Sequence, residues 1–167
     1  MSANDAQRKR PSAHHTRRPP RDAGVSTRTF RTMHSVIGVR IACKGECKAG
    51  VNYYEEVQVP VPNSQPCQLS LCLGTPFVVM KTEAVATLNS SSDFVNQHAT
   101  YLNIDLASGF APPEWQNNVG PVLVVRTDGV DMRQTDVDRA IDIVSELFDK
   151  FGDEEPFDAK AFIASRA

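Results

Sequence analysis

Three titratable side chains in the middle of the chain have the chemistry of an acid–base site: His98, Asp105 and Glu114. Histidine titrates near neutral pH, and carboxylates donate or accept protons in catalysis. A histidine at the start of a strand and an aspartate at its end can lie on one rim of a sheet. However, no nucleophile is spaced to pair with them, and Asp105 before Leu-Ala-Ser-Gly is typical of a carboxylate that binds turn amides. They stay catalytic candidates, while a structural role is favoured.

Four cysteines form a second set: Cys43, Cys47, Cys67 and Cys72. Their Cys-x3-Cys and Cys-x4-Cys spacings fall in the range of structural zinc sites, which need four tetrahedral ligands. Zinc ribbons, however, have a two-residue spacing on at least one arm, and the leucines around Cys72 indicate a small buried residue on a strand. Unconnected structural cysteines are therefore favoured, and a zinc site stays open. No other cofactor is expected, because "KGECKAG" lacks the pattern of a phosphate loop.

The segment "GFAPPEWQNNVGPVLVVRTDG" carries the only tryptophan of the chain. Phe110, Pro112, Pro113 and Trp115 could form an exposed apolar platform of the kind found at interaction hot spots. Alternatively, the proline pair is a rigid connector, and the two aromatic rings fold over the edge of the core. The second interpretation is favoured because lone tryptophans are usually well buried. An exposed Trp115 would favour the binding site.

The first part of the chain differs in charge from the rest. Residues 1–40 carry nine Arg or Lys against two Asp, while the whole chain has a net charge of −2, so the remainder is acidic. Residues 1–34 are rich in Arg, Pro, Ser and Thr and poor in large apolar side chains, which predicts a disordered basic arm. If the protein contacts nucleic acid at all, we expect it to do so through this arm, which also resembles a nuclear-localisation patch.

Neither a membrane nor a secretory role fits the sequence. No run approaches the roughly 18–20 apolar residues of a membrane span, and the N-terminus lacks the apolar segment of a signal peptide. Pro11, Pro19 and Pro20 argue against an amphipathic mitochondrial leader. We therefore expect a cytoplasmic or nuclear protein with reduced thiols, not a secreted one.

The strands that would position these residues are predicted from hydrophobic periodicity. Segments with alternating or continuous apolar residues, many of them β-branched, lie at 36–43, 53–62, 75–81, 98–105 and 120–127. Such segments are typical of strands. Pro60 and Pro62 place the second strand at an edge, and the apolar run of the last strand indicates a central position.

Two helices are predicted after the last strand. Apolar residues at three- and four-residue spacing predict an amphipathic helix over 135–151, with Thr135 as its cap. A short helix is expected from Asp158. The order of elements predicts an α+β fold, a mostly antiparallel sheet of about five strands covered on one face by the amphipathic C-terminal helix. Residues 35–167 would form this single domain.

The stretch "ATYLNIDLASGFAPPEWQNNVGPVLVVRTDG" resembles a segment of an uncharacterised family of fungal intracellular proteins, with "NIDP-x-SGFAPPEWQ" followed by a "VGPVLVVR-x-DGK" strand and a helix. "YYEEVQVPVP" and "LGTPFVVMK" are similar to upstream parts of that family, so the resemblance covers about residues 50–151. It implies one folded unit and a fungal source, but no activity, cofactor or catalytic residue. Leu106 and Val130 depart from the family pattern, which has proline and lysine there, and the paired cysteines do not belong to it.

We expect a small, non-enzymatic interaction or accessory protein with a possible protein partner, because no catalytic or cofactor pattern stands out. Two alternatives stay open. One is a small-molecule-handling accessory enzyme that uses His98, Asp105 and Glu114. The other is a zinc-stabilised module whose arm contacts nucleic acid.

Overall fold

A computed structural model describes residues 34–151 and 157–167. The described residues contain one four-stranded antiparallel sheet with the order β2-β1-β4-β3. Its strands, each rich in β-branched residues, are β1 (Ser35–Ile41), β2 (Tyr54–Pro60), β3 (Phe77–Lys81) and β4 (Val122–Arg126). The α+β class and the antiparallel sheet are confirmed, while the basic arm predicted for residues 1–34 lies, except for His34, outside the described residues.

The order of the strands follows the sequence signals. β4 lies between β1 and β3, as its apolar run predicts, and Val39 of β1 pairs with Val124 of β4. β2 is an edge strand that ends at Pro60. A proline is tolerated there because it lacks the N–H that an inner strand would use.

In the described ranges, five helices connect or follow the strands: α1 (Lys44–Lys48), α2 (Gln68–Cys72), α3 (Gln97–Leu102), α4 (Gln134–Lys150) and α5 (Ala159–Ala164). Two 3-10 turns lie at Ser91–Phe94 and Pro113–Trp115. Helices α4 and α5 confirm the two predicted C-terminal helices. Thr135 does not cap α4, since the Arg133 N–H at its start donates to Asp136 Oδ2 at 2.9 Å.

The predicted strand 98–105 is wrong, because α3 occupies Gln97–Leu102. The Asn96 side chain accepts a hydrogen bond from the Ala99 N–H at 3.1 Å and caps the helix. The two buried residues of α3, Ala99 and Leu102, are three apart, a spacing that suits a helix face. The described residues therefore form four strands instead of about five.

The core combines strands with helices. Alternate residues of β1, β3 and β4 join Val137, Ile141, Val144 and Leu147 of α4 in one buried cluster. The strand members of this cluster are Val39, Ile41, Phe77, Val79, Val122 and Val124. Within the described ranges, no helix has the length and apolar character needed to cross a membrane.

Candidate functional site

His98 lies on α3 and hydrogen-bonds to the first residue of β2. Its Nδ1 is 2.7 Å from the Tyr54 hydroxyl, and the Tyr53 ring meets the imidazole edge-on with centroids 4.9 Å apart. Burial lowers the pKa of His98, although the negative charge of Asp138 opposes this shift. Burial raises the pKa of Tyr54, and the nearby Asp138 raises it further. At neutral pH both side chains are therefore uncharged, and the tautomer of His98 decides which of the two donates the hydrogen bond.

The hydrogen bonds of the other two acid–base candidates involve the carboxylate of Asp105 and the backbone of Glu114. Asp105 Oδ1 accepts a hydrogen bond from the Ala107 N–H at 2.8 Å, which is the turn contact expected from the sequence. The backbone carbonyl of Glu114 accepts a hydrogen bond from Lys81 Nζ at 2.8 Å. No hydrogen bond in the described part of the chain joins any two of His98, Asp105 and Glu114. The carboxylate whose charge acts on His98 is Asp138 of α4, which the sequence analysis missed because it is distant along the chain.

Protonation of His98 should make the protein less stable. Because the folded-state pKa lies below the usual 6.5, the unfolded chain binds the proton more readily, and the free energy of unfolding should fall as pH drops below that value. Urea denaturation between pH 7.5 and 5 should show this fall. In His98→Asn, the free energy of unfolding should depend less steeply on pH. His34→Asn is the matched control, since His34 is exposed. Equal slopes for His98→Asn and the unsubstituted protein would contradict the assignment.

The four cysteines lie as two separate pairs, and none forms a disulfide. Cys43 precedes α1 and Cys47 lies within it, while Cys67 precedes α2 and Cys72 ends it. Cys72 is thus on a helix and not on the strand expected for it. Across residues 34–151 and 157–167, no group of three or more Cys, His, Asp or Glu side chains could hold a metal ion. The structure does not bring the four thiols together.

Two of the thiols, those of Cys47 and Cys67, are poor nucleophiles at neutral pH. Burial raises the pKa of Cys47, and the neighbouring Cys43 raises it further. Burial also raises the pKa of Cys67, although hydrogen bonds involving Ser70 oppose the shift. Since the thiolate is the reactive form, both residues behave mainly as neutral side chains.

The proline–tryptophan segment forms a fixed corner before β4. Pro113–Trp115 is a 3-10 turn, and the Trp115 carbonyl accepts a hydrogen bond from Thr100 Oγ1 at 2.6 Å. The indole is half-buried against the core, and Lys81 Nζ lies 5.2 Å from the centre of its ring. This placement supports the interpretation of Trp115 as an anchor of the corner.

Phe110 projects into solvent instead of folding over the core. The residue is 73% exposed, the highest value for a large apolar residue in the described part of the chain. The turn beneath it is closed by two hydrogen bonds, from the Gly109 N–H to the Asp105 carbonyl at 2.8 Å and from the Asp105 N–H to the Phe110 carbonyl at 3.0 Å. Gly109 has a φ of 76°, and a Cβ there would lie 3.1 Å from the Phe151 ring. A glycine is therefore needed to hold Phe110 in this position.

An open pocket of 330 Å³ lies beside the exposed ring. It is lined by Ser108, Gly109, Phe110, Phe148 and Phe151, which we call the Phe110 surface. Phe148 lies on α4, and Phe151 directly follows it. Both are half-buried and form the boundary between the core and the pocket.

The Phe110 surface continues past the turn. The Phe151 ring contacts Phe157 with centroids 5.5 Å apart, and Phe157 lines a second open pocket of 320 Å³ with Leu106 and Lys160. Aromatic and aliphatic side chains therefore border both sides of the turn that carries Phe110.

The chain matches no protein-family model, no curated protein and no solved structure. The resemblance to fungal intracellular proteins stays a prediction.

Proposed function

We propose that this domain is a non-enzymatic interaction module that binds a protein segment through the Phe110 surface. The observation that carries the proposal is the 73% exposure of Phe110 on a closed turn, directly beside a pocket lined by Phe148 and Phe151. Exposed aromatic side chains next to an apolar pocket are typical of interaction hot spots. The segment bound there would carry an aliphatic or aromatic side chain that enters the pocket.

The backbone under Phe110 supports this proposal. Two hydrogen bonds and the left-handed conformation of Gly109 fix the turn before any partner arrives. A fixed turn loses little conformational entropy on binding, so more of the contact energy appears as affinity.

The lining of the pocket favours a protein segment over a small molecule. Small-molecule sites are usually enclosed and place several polar groups around the ligand. This pocket is open, and the Ser108 hydroxyl is the one polar side-chain group among its lining residues. An apolar side chain on a partner protein suits such a surface better.

Substituting Phe110 with alanine should weaken binding about tenfold or more, which corresponds to about 1.4 kcal/mol. The probes are short peptides with one Phe or Leu, each paired with an alanine version and titrated into the isotope-labelled full chain. Amide signals of residues 105–111 and 148–151 should shift, and the alanine versions should not shift them. Absence of these shifts would contradict the proposal.

Leu71→Ala is the matched control, because Leu71 lies on α2 and is 59% exposed. This substitution should leave peptide binding unchanged. Phe110→Ala should alter the free energy of unfolding by no more than about 0.5 kcal/mol, as is usual at an exposed position. A lost interaction could then not be explained by unfolding. If Phe110→Ala bound as tightly as Leu71→Ala, the Phe110 surface would not be the docking site.

The two alternative functions have less support. An enzyme that uses His98, Asp105 and Glu114 would need them close together, whereas the His98 ring bonds to Tyr54 and the Asp105 carboxylate to its own turn. A zinc-stabilised module would need three or four of the cysteines in one site, and among the described residues they do not form such a group. Nucleic-acid contact is proposed only for the basic arm, residues 1–34.

We also infer that α4 covers one face of the sheet, because its buried residues share a cluster with alternate residues of β1, β3 and β4. In that arrangement, the end of α4 that carries Phe148 lies at the border of the layer that this helix forms on the sheet.

We also propose a cytoplasmic or nuclear location. None of the four cysteines is in a disulfide, and disulfides are rare in those compartments.

A further inference from the structure

We propose that the partner of the Phe110 surface is a second copy of this chain, with the Phe110 ring of each copy in the pocket of the other. This inference rests on the proposed function, because it names the occupant of the same surface. The argument combines the shape of the surface, the charges around it and its size.

The shape is self-complementary. The projecting ring and the pocket that could receive a ring lie next to each other, and Phe110 itself forms one side of the pocket. A two-fold axis between two copies would insert both rings at once, as in an isologous interface where the same patch is used twice. Each inserted ring would meet Phe148 and Phe151, and aromatic side chains pack favourably edge-to-face or offset.

The charges around the surface also suit a second copy. Exposed side chains of both charge signs lie around it: the acidic residues are Asp105, Asp149 and Asp158, and the basic residues are Lys150 and Lys160. Asp158 and Lys160 line the neighbouring pocket, and the other three adjoin pocket residues in the sequence. Two-fold apposition can place a lysine of one copy near an aspartate of the other. A partner with charges of only one sign would be attracted by some of these side chains and repelled by the others.

The small size of the surface predicts a weak dimer. One inserted ring per copy, with the borders of two shallow pockets, corresponds to the low end of interface sizes, below about 1,200 Å² of total buried area. The chain should therefore be a monomer when dilute and associate reversibly as its concentration rises.

Sedimentation velocity of the full chain over a wide concentration range tests the inference. The runs are made at moderate and at raised salt, because raised salt screens the charge on the basic arm but also screens exposed lysine–aspartate pairs. The sedimentation coefficient should increase with concentration for the unsubstituted chain and for Leu71→Ala, and should stay at the monomer value for Phe110→Ala. A concentration-independent monomer would overturn the inference, and so would a Phe110→Ala chain that associates normally.

A second measurement locates the contact directly. In an equal mixture of isotope-labelled and unlabelled chains, filtered nuclear Overhauser spectra should connect Phe110 of one copy with Phe148 or Phe151 of the other. Intermolecular signals from other residues alone would overturn the inference.

The two proposals can fail separately. If the chain stays monomeric while peptides still bind in a Phe110-dependent way, the second copy is wrong as the partner and the interaction module stands. If neither the chain nor the peptides bind at the Phe110 surface, both proposals are wrong.

Discussion

Replacing Glu46 with alanine should lower the free energy of unfolding by about 3 kcal/mol. Glu46 is fully buried and contacts Arg40 Nη2 at 2.6 Å. Its carboxylate also accepts hydrogen bonds from the backbone N–H groups of Val85 at 3.0 Å and Cys43 at 3.3 Å. Alanine would leave the largely buried guanidinium of Arg40 and both N–H groups without this partner. The loss should be large because an uncompensated buried charge is more costly than the ion pair itself is stabilising.

Chemical denaturation of Glu46→Ala and Glu56→Ala gives a matched comparison. Glu56 forms an ion pair with Arg133 at 2.8 Å, but both side chains are substantially exposed. An exposed pair contributes only about 0–1 kcal/mol, so Glu56→Ala should be nearly neutral. Similar losses for the two variants would show that Glu46 does not join β1, α1 and the Val85 segment as described.

Replacing Asn96 with alanine should lower the free energy of unfolding by about 2–3 kcal/mol. Asn96 is 3% exposed, and its Nδ2 donates to the carbonyls of Gly120 at 2.9 Å and Ile41 at 3.3 Å. Its Oδ1 accepts from the Ala99 N–H and caps α3. One amide therefore joins the end of β1, the entry to β4 and the start of α3, and its removal leaves buried polar groups unsatisfied.

Asn96→Asp separates the cap from the other two bonds. Aspartate is a good N-cap, but it cannot donate to the two carbonyls, so this variant should also be clearly destabilised. If it were as stable as the unsubstituted chain, capping alone would explain the role of Asn96. Asn103→Ala is the control, because Asn103 is half-buried and makes one side-chain bond, to the Ala99 carbonyl at 2.8 Å. The free energy of unfolding of Asn103→Ala should fall by less, about 1 kcal/mol.

The strands and the long helix could be predicted because their apolar residues repeat with a clear period. Segment 98–105 could not, since Ala99 and Leu102 fit a helix face while the wider segment also alternates like a strand. The polar cap Asn96 decides between the two, and it lies just before the segment. A search for helix caps would have found this signal.

The candidate site was only partly predictable. The proline pair and Trp115 indicate a rigid corner by their own chemistry, and the structure places them in one. The direction of Phe110 depends on the turn around Gly109 and on Phe151, which follows the distant helix α4. The environment of His98 depends in the same way on Asp138. Such contacts between distant residues cannot be read from local periodicity.

The pairing of β1 with β4 has a consequence for synthesis of the protein. Val39 of β1 pairs with Val124 of β4, so the first strand can complete its pairing only after the last strand has been synthesised. The β1–β2 pair can form early on the ribosome, but the sheet cannot close until β4 has emerged from the exit tunnel. Sheets dominated by such distant pairings fold slowly. During that interval the apolar side of the first two strands is open to solvent, and molecular chaperones would have their main opportunity to bind the nascent chain.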